Sequence, residues 1–226
     1  MTTQNQTTLS IGVIGLGAMG KGMANSLRRA GHHVSVCDVR YEAAEAFAQE
    51  GGTAHKTPAA LAQAADIIVS VVVNADQTEQ VLFGANGAAA HMKAGSLFIM
   101  CSTVDPNWSV ALEKRLNDMG LLYLDAPISG GAAKAASGQM TMMTSGQAAA
   151  YTKAGNALES MAAHVYKLGD RAGYGSKVKI INQLLAGVHI AAAAEAMALG
   201  LREGVAADAL YEVITNSAGN SWMFEN

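Results

Sequence analysis

Short apolar runs and longer amphipathic stretches take turns along most of the chain. The runs "IGVIGL", "HVSVCDV", "DIIVSVVV", "SLFIMCS", "LYLDAP" and "HVYKLG" are nearly continuous in apolar residues. Strands buried on both faces have that pattern. Between them the spacing predicts helices over residues 19–30 and through "YEAAEAFAQE", "TPAALAQA", "NWSVALEKRLNDMG" and "AAYTKAGNALESMA". The polar "NADQTEQVLFG" reads as a connection, and Met140, Met142 and Met143 read as strand core. Apolar strands alternating with helices mean βαβ units and a doubly wound, mostly parallel α/β sheet. From about Gly173 the strands cease. A long helix over residues 176–203 and a shorter one near "AADALYEVITN" follow. The expected division is a sheet domain over residues 1–172 and the start of an all-helical C-terminal domain over 173–226, opened by a long interdomain helix.

Composition narrows this little. Of 226 residues half are hydrophobic and 15% are charged, enough apolar material for a core. A net charge of −3 gives no cationic face, so neither nucleic acid nor a membrane is an expected partner. The polar leader "MTTQNQTTLS" carries no charge and does not read as a signal peptide. The longest strongly apolar run, "IIVSVVV", is too short to span a bilayer. The Ala-rich "AGVHIAAAAEAMALGL", interrupted by His189 and Glu195, reads as a soluble helix in close contact with another. Cys37 and Cys101 read as separate buried strand residues, which fits a reduced, cytoplasmic setting. His32 and His33 read as loop residues and His189 as a core or interface histidine. No spacing suits a metal, and none is expected.

The stretch "IGVIGLGAMGKGMA" adds chemistry. Gly15, Gly17 and Gly20 fall between the first strand and the first helix of a βαβ unit, where G-x-G-x-x-G binds a dinucleotide. Gly15 permits the tight turn, Gly17 admits the pyrophosphate to the backbone, and Gly20 lets helix and strand approach. Leu16, Ala18 and Met19, interleaved with them, complete the expected phosphate contacts at the helix N-terminus. Asp38 ends the second strand, where a carboxylate accepts from the ribose hydroxyls and repels a 2′-phosphate. NAD is therefore favoured, and Arg40 two residues on keeps NADP as the lesser alternative.

Four motifs then make the chain resemble the β-hydroxyacid dehydrogenases, the family of 3-hydroxyisobutyrate dehydrogenase and tartronate semialdehyde reductase. They are "GVIGLGAMGKGMA", "CSTVDP", "DAPISGGAAKAASGQMTMM" and "GYGSKVKIINQ", in the family's order and spread over almost the whole chain. "VKIINQLLAGVHIAAAAEAMALG" and "TNSAGNSWMFEN" look like the branch that oxidises L-threonate. The resemblance implies a Rossmann-like NAD domain followed by a helical domain. It places Thr103 near the nicotinamide ribose, Val73 and Asn74 at the edge of the nicotinamide site, and Ser129, Gly130 and Gly131 at the substrate. It puts Lys179 at the catalytic position and implies a homo-oligomer, dimer or tetramer. Gln183 stands where the family has a second asparagine, and Asn74 where it has proline. The family's chains also continue beyond the point matching Asn226, through several helices and a Lys-Asp segment that completes the site.

These residues make chemical sense without the resemblance. Oxidising an alcohol needs a hydride acceptor and a base, and a lysine serves as base once its surroundings lower its pKa. Asn182 and Gln183, three and four positions beyond Lys179, share its helix face and suit substrate oxygens. The "SGG" loop offers free N–H groups and a hydroxyl to a carboxylate. The implied substrate is a small hydroxy acid, L-threonate first, with tartronate semialdehyde and 3-hydroxyisobutyrate chemistry as alternatives. A non-catalytic dinucleotide-binding module is the rival of another class.

Overall fold

The computed structural model of the chain describes residues 8–226. It divides into two compact units, the first ending at Lys179 and the second running Ile180–Asn226.

The first unit opens with β1 (Ser10–Ile14), α1 (Gly20–Arg29), β2 (His33–Cys37), α2 (Tyr41–Gln49) and β3 (Thr53–Ala54). It continues with α3 (Pro58–Ala64), β4 (Ile67–Ser70), α4 (Ala75–Phe83), β5 (Leu97–Met100), α5 (Pro106–Asp118) and β6 (Leu122–Asp125). These six strands form one parallel sheet in the order β3-β2-β1-β4-β5-β6. The order reverses at β1, and the connections leave the carboxyl ends of β1 and β4 side by side, the crevice where doubly wound folds bind ligands.

Alternation along the strands explains the two-faced burial. Ile67, Val69, Leu97 and Ile99 pack into one cluster with Met23 and Leu27 of α1 and Phe47 of α2. Their neighbours Ile68, Phe98 and Met100 point the other way, into a cluster with Leu61 of α3, Leu82 of α4 and Leu112 of α5. Successive side chains of a strand take opposite faces, so a strand covered by helices on both sides has no polar phase. Local signals fix several helix starts. Thr57 caps α3 ahead of Pro58, and Asp105 caps α5 ahead of Pro106.

The rest of the first unit is less regular. β7 (Ile128–Ser129), α6 (Gly131–Ser137), β8 (Met140–Thr144), α7 (Ala148–Ala154), α8 (Ala157–Met161) and β9 (Ala162–Lys167) follow. Strands β7-β8-β9 make a second sheet in which β7 and β8 are antiparallel. So "HVYKLG" is a strand, but of this small sheet. The helix expected over "AAYTKAGNALESMA" is two helices, because Gly155 turns the chain at φ 54°. The connection "NADQTEQVLFG" is the helix α4, capped by Asn74, and the "SGG" loop runs into α6. His33 opens β2 rather than lying in a loop, and His32 is buried, its Nδ1 accepting from the Leu9 N–H at 3.3 Å.

The helix α9 (Tyr174–Arg202) leaves the first unit, and α10 (Ala207–Thr215) and α11 (Trp222–Glu225) follow it in the second. Within the second unit Tyr211 stacks on Phe224 at 5.8 Å, and Gly200 leaves room for Leu210. By length and composition alone α9 is able to cross a bilayer, with none of its most apolar window buried. The interrupted run "AGVHIAAAAEAMALGL" did not suggest that.

The face of α1 opposite its core side meets α6 at backbone distance. A Cβ on Gly22 would stand 2.6 Å from the Ala136 nitrogen. Beside it Ser26 Oγ donates to the Ala135 carbonyl at 3.1 Å, and Arg29 donates to the Ala136 carbonyl. Gly22→Ala gains about 1 kcal/mol of helix preference, but the added methyl meets main chain, and overpacking of that kind costs about 1–3 kcal/mol. We expect a lower urea midpoint for Gly22→Ala, and an unchanged or higher one would show that α1 and α6 separate easily.

Candidate functional site

The turn after β1 is built on glycine for three separate reasons. Gly15 sits at φ 94°, and a Cβ there would stand 2.4 Å from the Val71 carbonyl oxygen. Gly20 faces the Gly15 carbonyl at a distance no side chain can share. Gly17 faces open space, with nothing within 4 Å of its missing Cβ. The N-terminus of α1 carries no side-chain cap; its Lys21 N–H reaches the Gly17 carbonyl only at 3.4 Å, which leaves the positive end of the helix open to a ligand.

Asp38 ties this turn to the end of β2. Its Oδ2 accepts from the Leu16 N–H at 2.6 Å and its Oδ1 from the Arg40 N–H at 2.8 Å, with the Arg40 guanidinium 3.6 Å away. The carboxylate is thus held at the wall of a cleft of about 610 Å³. Gly15, Gly17, Asp38 and Val73 line that cleft, joined by Val39 and Arg40 after β2 and by Lys56 and Pro58 at the start of α3. Cys37 lines it too, and burial pushes its thiol up to about 11. Two predicted contacts are partly committed elsewhere. The Leu16 side chain is core and its N–H is taken by Asp38, and the Asn74 side chain accepts from the Gln77 N–H at 2.9 Å as the cap of α4. Ala18 is exposed and Met19 half-buried at the mouth of α1.

The remaining predicted residues lie outside the lining of the cleft. Thr103 is exposed beyond β5, where Ser102 Oγ donates to the Val72 carbonyl at 2.8 Å and so fastens that loop to the one after β4. Ser129 ends β7, and Gly130 (φ 136°) and Gly131 (φ 76°) take conformations that glycine alone accepts easily. Lys134 lies over Gly130, its Cδ 3.0 Å from where a Cβ would be.

Lys179 is 8% exposed, while Lys177 and Val178 before it are exposed. Among the described residues no hydrogen bond or ion pair reaches its ammonium, and burial lowers its pKa below the ordinary 10.5. Asn182, half-buried, and Gln183, exposed, lie one turn further along α9.

Sequence reasoning missed the polar knot at the start of α9. Asp125, fully buried at the end of β6, accepts on Oδ2 from the N–H groups of Gly173 and Ser176, both at 2.9 Å, and on Oδ1 from Ser176 Oγ at 2.7 Å. Ser145 Oγ donates to the same carboxylate at 3.2 Å and accepts from the Gly175 N–H at 3.0 Å. The only hint in the sequence was "DAP" ahead of "SGG", read there for the loop alone.

Two family models match consecutive parts of the chain. The NAD binding domain of 6-phosphogluconate dehydrogenase covers residues 10–169, and the NAD-binding region of NADP-dependent 3-hydroxyisobutyrate dehydrogenase covers 173–226. An L-threonate dehydrogenase of Cupriavidus necator is 64% identical over 217 residues, spanning 96% of this chain and 73% of that one. The chain belongs to the β-hydroxyacid dehydrogenase family. Mouse mitochondrial 3-hydroxyisobutyrate dehydrogenase is a more distant relative, 36% identical over 94% of this chain and 63% of its own. A crystal structure described as 3-hydroxyisobutyrate dehydrogenase from Salmonella typhimurium superposes with a TM-score of 0.92 at 47% identity, over 96% of this chain and 75% of that one. As a member, this dehydrogenase is an NAD-binding oxidoreductase of CH–OH groups, and the match over 173–226 includes all of α9.

Partial burial of a cation opposes folding. The folded pKa of Lys179 lies below its unfolded value, so the unfolded chain holds more protons between the two and stability rises with pH across that window. Lys179→Met should therefore melt higher than the parent at pH 7, and the gain should shrink as pH approaches 10.5. Parallel thermal melts at the two pH values decide, and a destabilised variant at pH 7 would show that the ammonium is solvated or paired.

Proposed function

We propose that this dehydrogenase oxidises L-threonate to 2-oxo-tetronate (2-dehydro-L-erythronate) with NAD, and that Lys179 is its acid–base residue. The observation that carries the chemistry is the buried, unpartnered Lys179 on the first turns of α9. The substrate follows from the 64% identity with an L-threonate dehydrogenase. Relatives named for 3-hydroxyisobutyrate keep that acid as a second reading, and the sequence motifs keep tartronate semialdehyde, in the reverse direction, as another.

When bound, NAD supplies the hydride acceptor. The Gly15–Gly20 turn and the N-terminus of α1 suit its pyrophosphate, and Asp38 has lone pairs left for the adenosine ribose. Val73, Asn74 and Thr103 are read as lining the nicotinamide end. Ser129 and the N–H groups of Gly130 and Gly131 hold the substrate carboxylate. Asn182 and Gln183 orient its remaining oxygens. Neutral Lys179 takes the hydroxyl proton, and in reduction its ammonium returns that proton to the carbonyl oxygen. Oxidation therefore rises as pH climbs through the lowered pKa of Lys179, and reduction falls over the same range.

The proposed division puts the NAD-binding domain at 1–172 and the start of the helical domain at 173–226. The proposed setting is the cytoplasm, where Cys37 and Cys101 stay as free thiols. Within the second unit, Ile181, Leu184, Leu185, Val188 and Val213 are exposed, and we read them as faces for a second copy in a dimer or tetramer. Light scattering at micromolar concentration reads that state, and a strict monomer would count against it.

The test is a panel of hydroxy acids with NAD and NADP, followed by nicotinamide absorbance. L-threonate with NAD should give the highest kcat/KM. Lys179→Ala should lose about 10²–10⁴ in turnover while binding NAD as the parent does. Asp38→Ala should do the reverse, weakening NAD and narrowing its preference over NADP. Retained turnover in Lys179→Ala, with chemistry rate-limiting, would assign the proton to another group.

A further inference from the structure

The polar knot at the end of β6 holds Ser176, three residues before Lys179, and nothing in the reaction just described uses it. Its members come from three places in the chain. Asp125 ends β6, Ser145 follows β8, and Gly173 to Ser176 lead into α9. The first N–H groups of a helix lack partners within the helix. Here those of Gly173 and Ser176 end on the Asp125 carboxylate, and that of Gly175 ends on Ser145. Glu113 of α5 takes the Ala172 N–H at 3.1 Å, so four of the five N–H groups from Ala172 to Ser176 are tied down at the entry to α9. Gly175 lets that entry press on β8, since a Cβ there would stand 2.3 Å from the Met143 carbonyl oxygen.

A simple cap does not need this much. A serine or aspartate at an exposed helix start supplies about 1 kcal/mol. Asp125 is instead fully buried, a costly place for a carboxylate, and desolvation raises its pKa despite its four donors. What burial adds is direction. Ser176 and Lys179 are three residues apart, so they share a helix face. The bond from Ser176 Oγ to Asp125 Oδ1 turns that face inward and Lys179 with it. A rotation by one residue, about 100°, would bring up the exposed Val178 or Ile180 instead.

We propose that Asp125, acting through Ser176 and Ser145, is the positioning residue for Lys179. It sets the rotation and register of the first turns of α9, and so keeps Lys179 on the inward face of that helix. This rests on Lys179 being the acid–base group. Cys101 and Tyr123, which share the surroundings of Asp125, have pKa values pushed up by burial, to about 12 for the thiol. Neither changes charge near neutral pH. Glu113, also raised by burial, is the remaining buried acid there, with Asp170 and the Arg171 and Lys177 cations on the exposed side.

The experiment compares Asp125→Asn, Ser176→Ala, Ser176→Thr and Lys179→Ala in the full chain, with L-threonate and NAD where chemistry limits the rate. Asp125→Asn should lose about tenfold to a hundredfold in kcat, as displaced catalytic groups do. Its pH profile should shift upward, because a loosened Lys179 returns toward 10.5. Removal of a negative charge alone would move the profile downward, and a purely structural role would leave it in place, so either of those results overturns the proposal. NAD affinity should change less than about twofold, since the cofactor cleft lies on β1 and β2. Ser176→Ala should show a smaller shift of the same sign, Ser176→Thr should restore it, and Ser176→Ala should add little to Asp125→Asn. If Asp125→Asn does not fold, Ser176→Ala with a parental kcat and pH profile per folded molecule overturns the proposal on its own. Retained turnover in Lys179→Ala would sink the catalytic assignment instead, which keeps the two failures apart.

Discussion

The carbonyl of Gly15 occupies the space where a side chain at position 20 would begin. Most of the first unit depends on that contact. It brings the start of α1 onto the end of β1, so the uncapped helix terminus opens at the carboxyl edge of the sheet. From there α1 runs back with Met23 and Leu27 in the core, and its Gly22 side is left to receive α6. A larger residue at position 20 would lift the helix from the strand, and the cleft wall and the α6 contact would move with it.

The site is thus organised by two helix beginnings with opposite treatments. The start of α1 is left bare, which suits an anion arriving from outside. The start of α9 is supplied with an internal anion, Asp125, and closed to solvent. Both use the same electrostatics of aligned peptide groups. One end is made to exchange its partner and the other to keep it.

What the sequence made legible follows from the range of the interactions. The parallel sheet was readable because each strand has apolar residues in both phases, and the glycine turn because its spacing falls within six residues, although the close approach of Val71 to Gly15 was not readable. Asp38 was readable from its place at the end of a strand. The helix α4 was not, since only Thr78, Val81 and Leu82 turn inward from a polar stretch. The break at Gly155 needed a backbone angle that residue type permits but does not require. The knot at Asp125 was hidden for a different reason, because 51 positions separate it from Ser176 and only folding brings them together. Lys179 stood out by motif, but its burial was not readable, since it lies one turn beyond the Ser176 that this long-range contact holds.

Cys37 stands on the wall of the cofactor cleft, next to the residue that grips the glycine turn. Its thiol is held near 11, so at the pH of a cell the sulfur carries no charge. The thiolate is the form that attacks peroxides, disulfides and electrophiles. Burial therefore works against the thiolate at this wall, and Cys37 serves there as a small apolar surface rather than as a nucleophile.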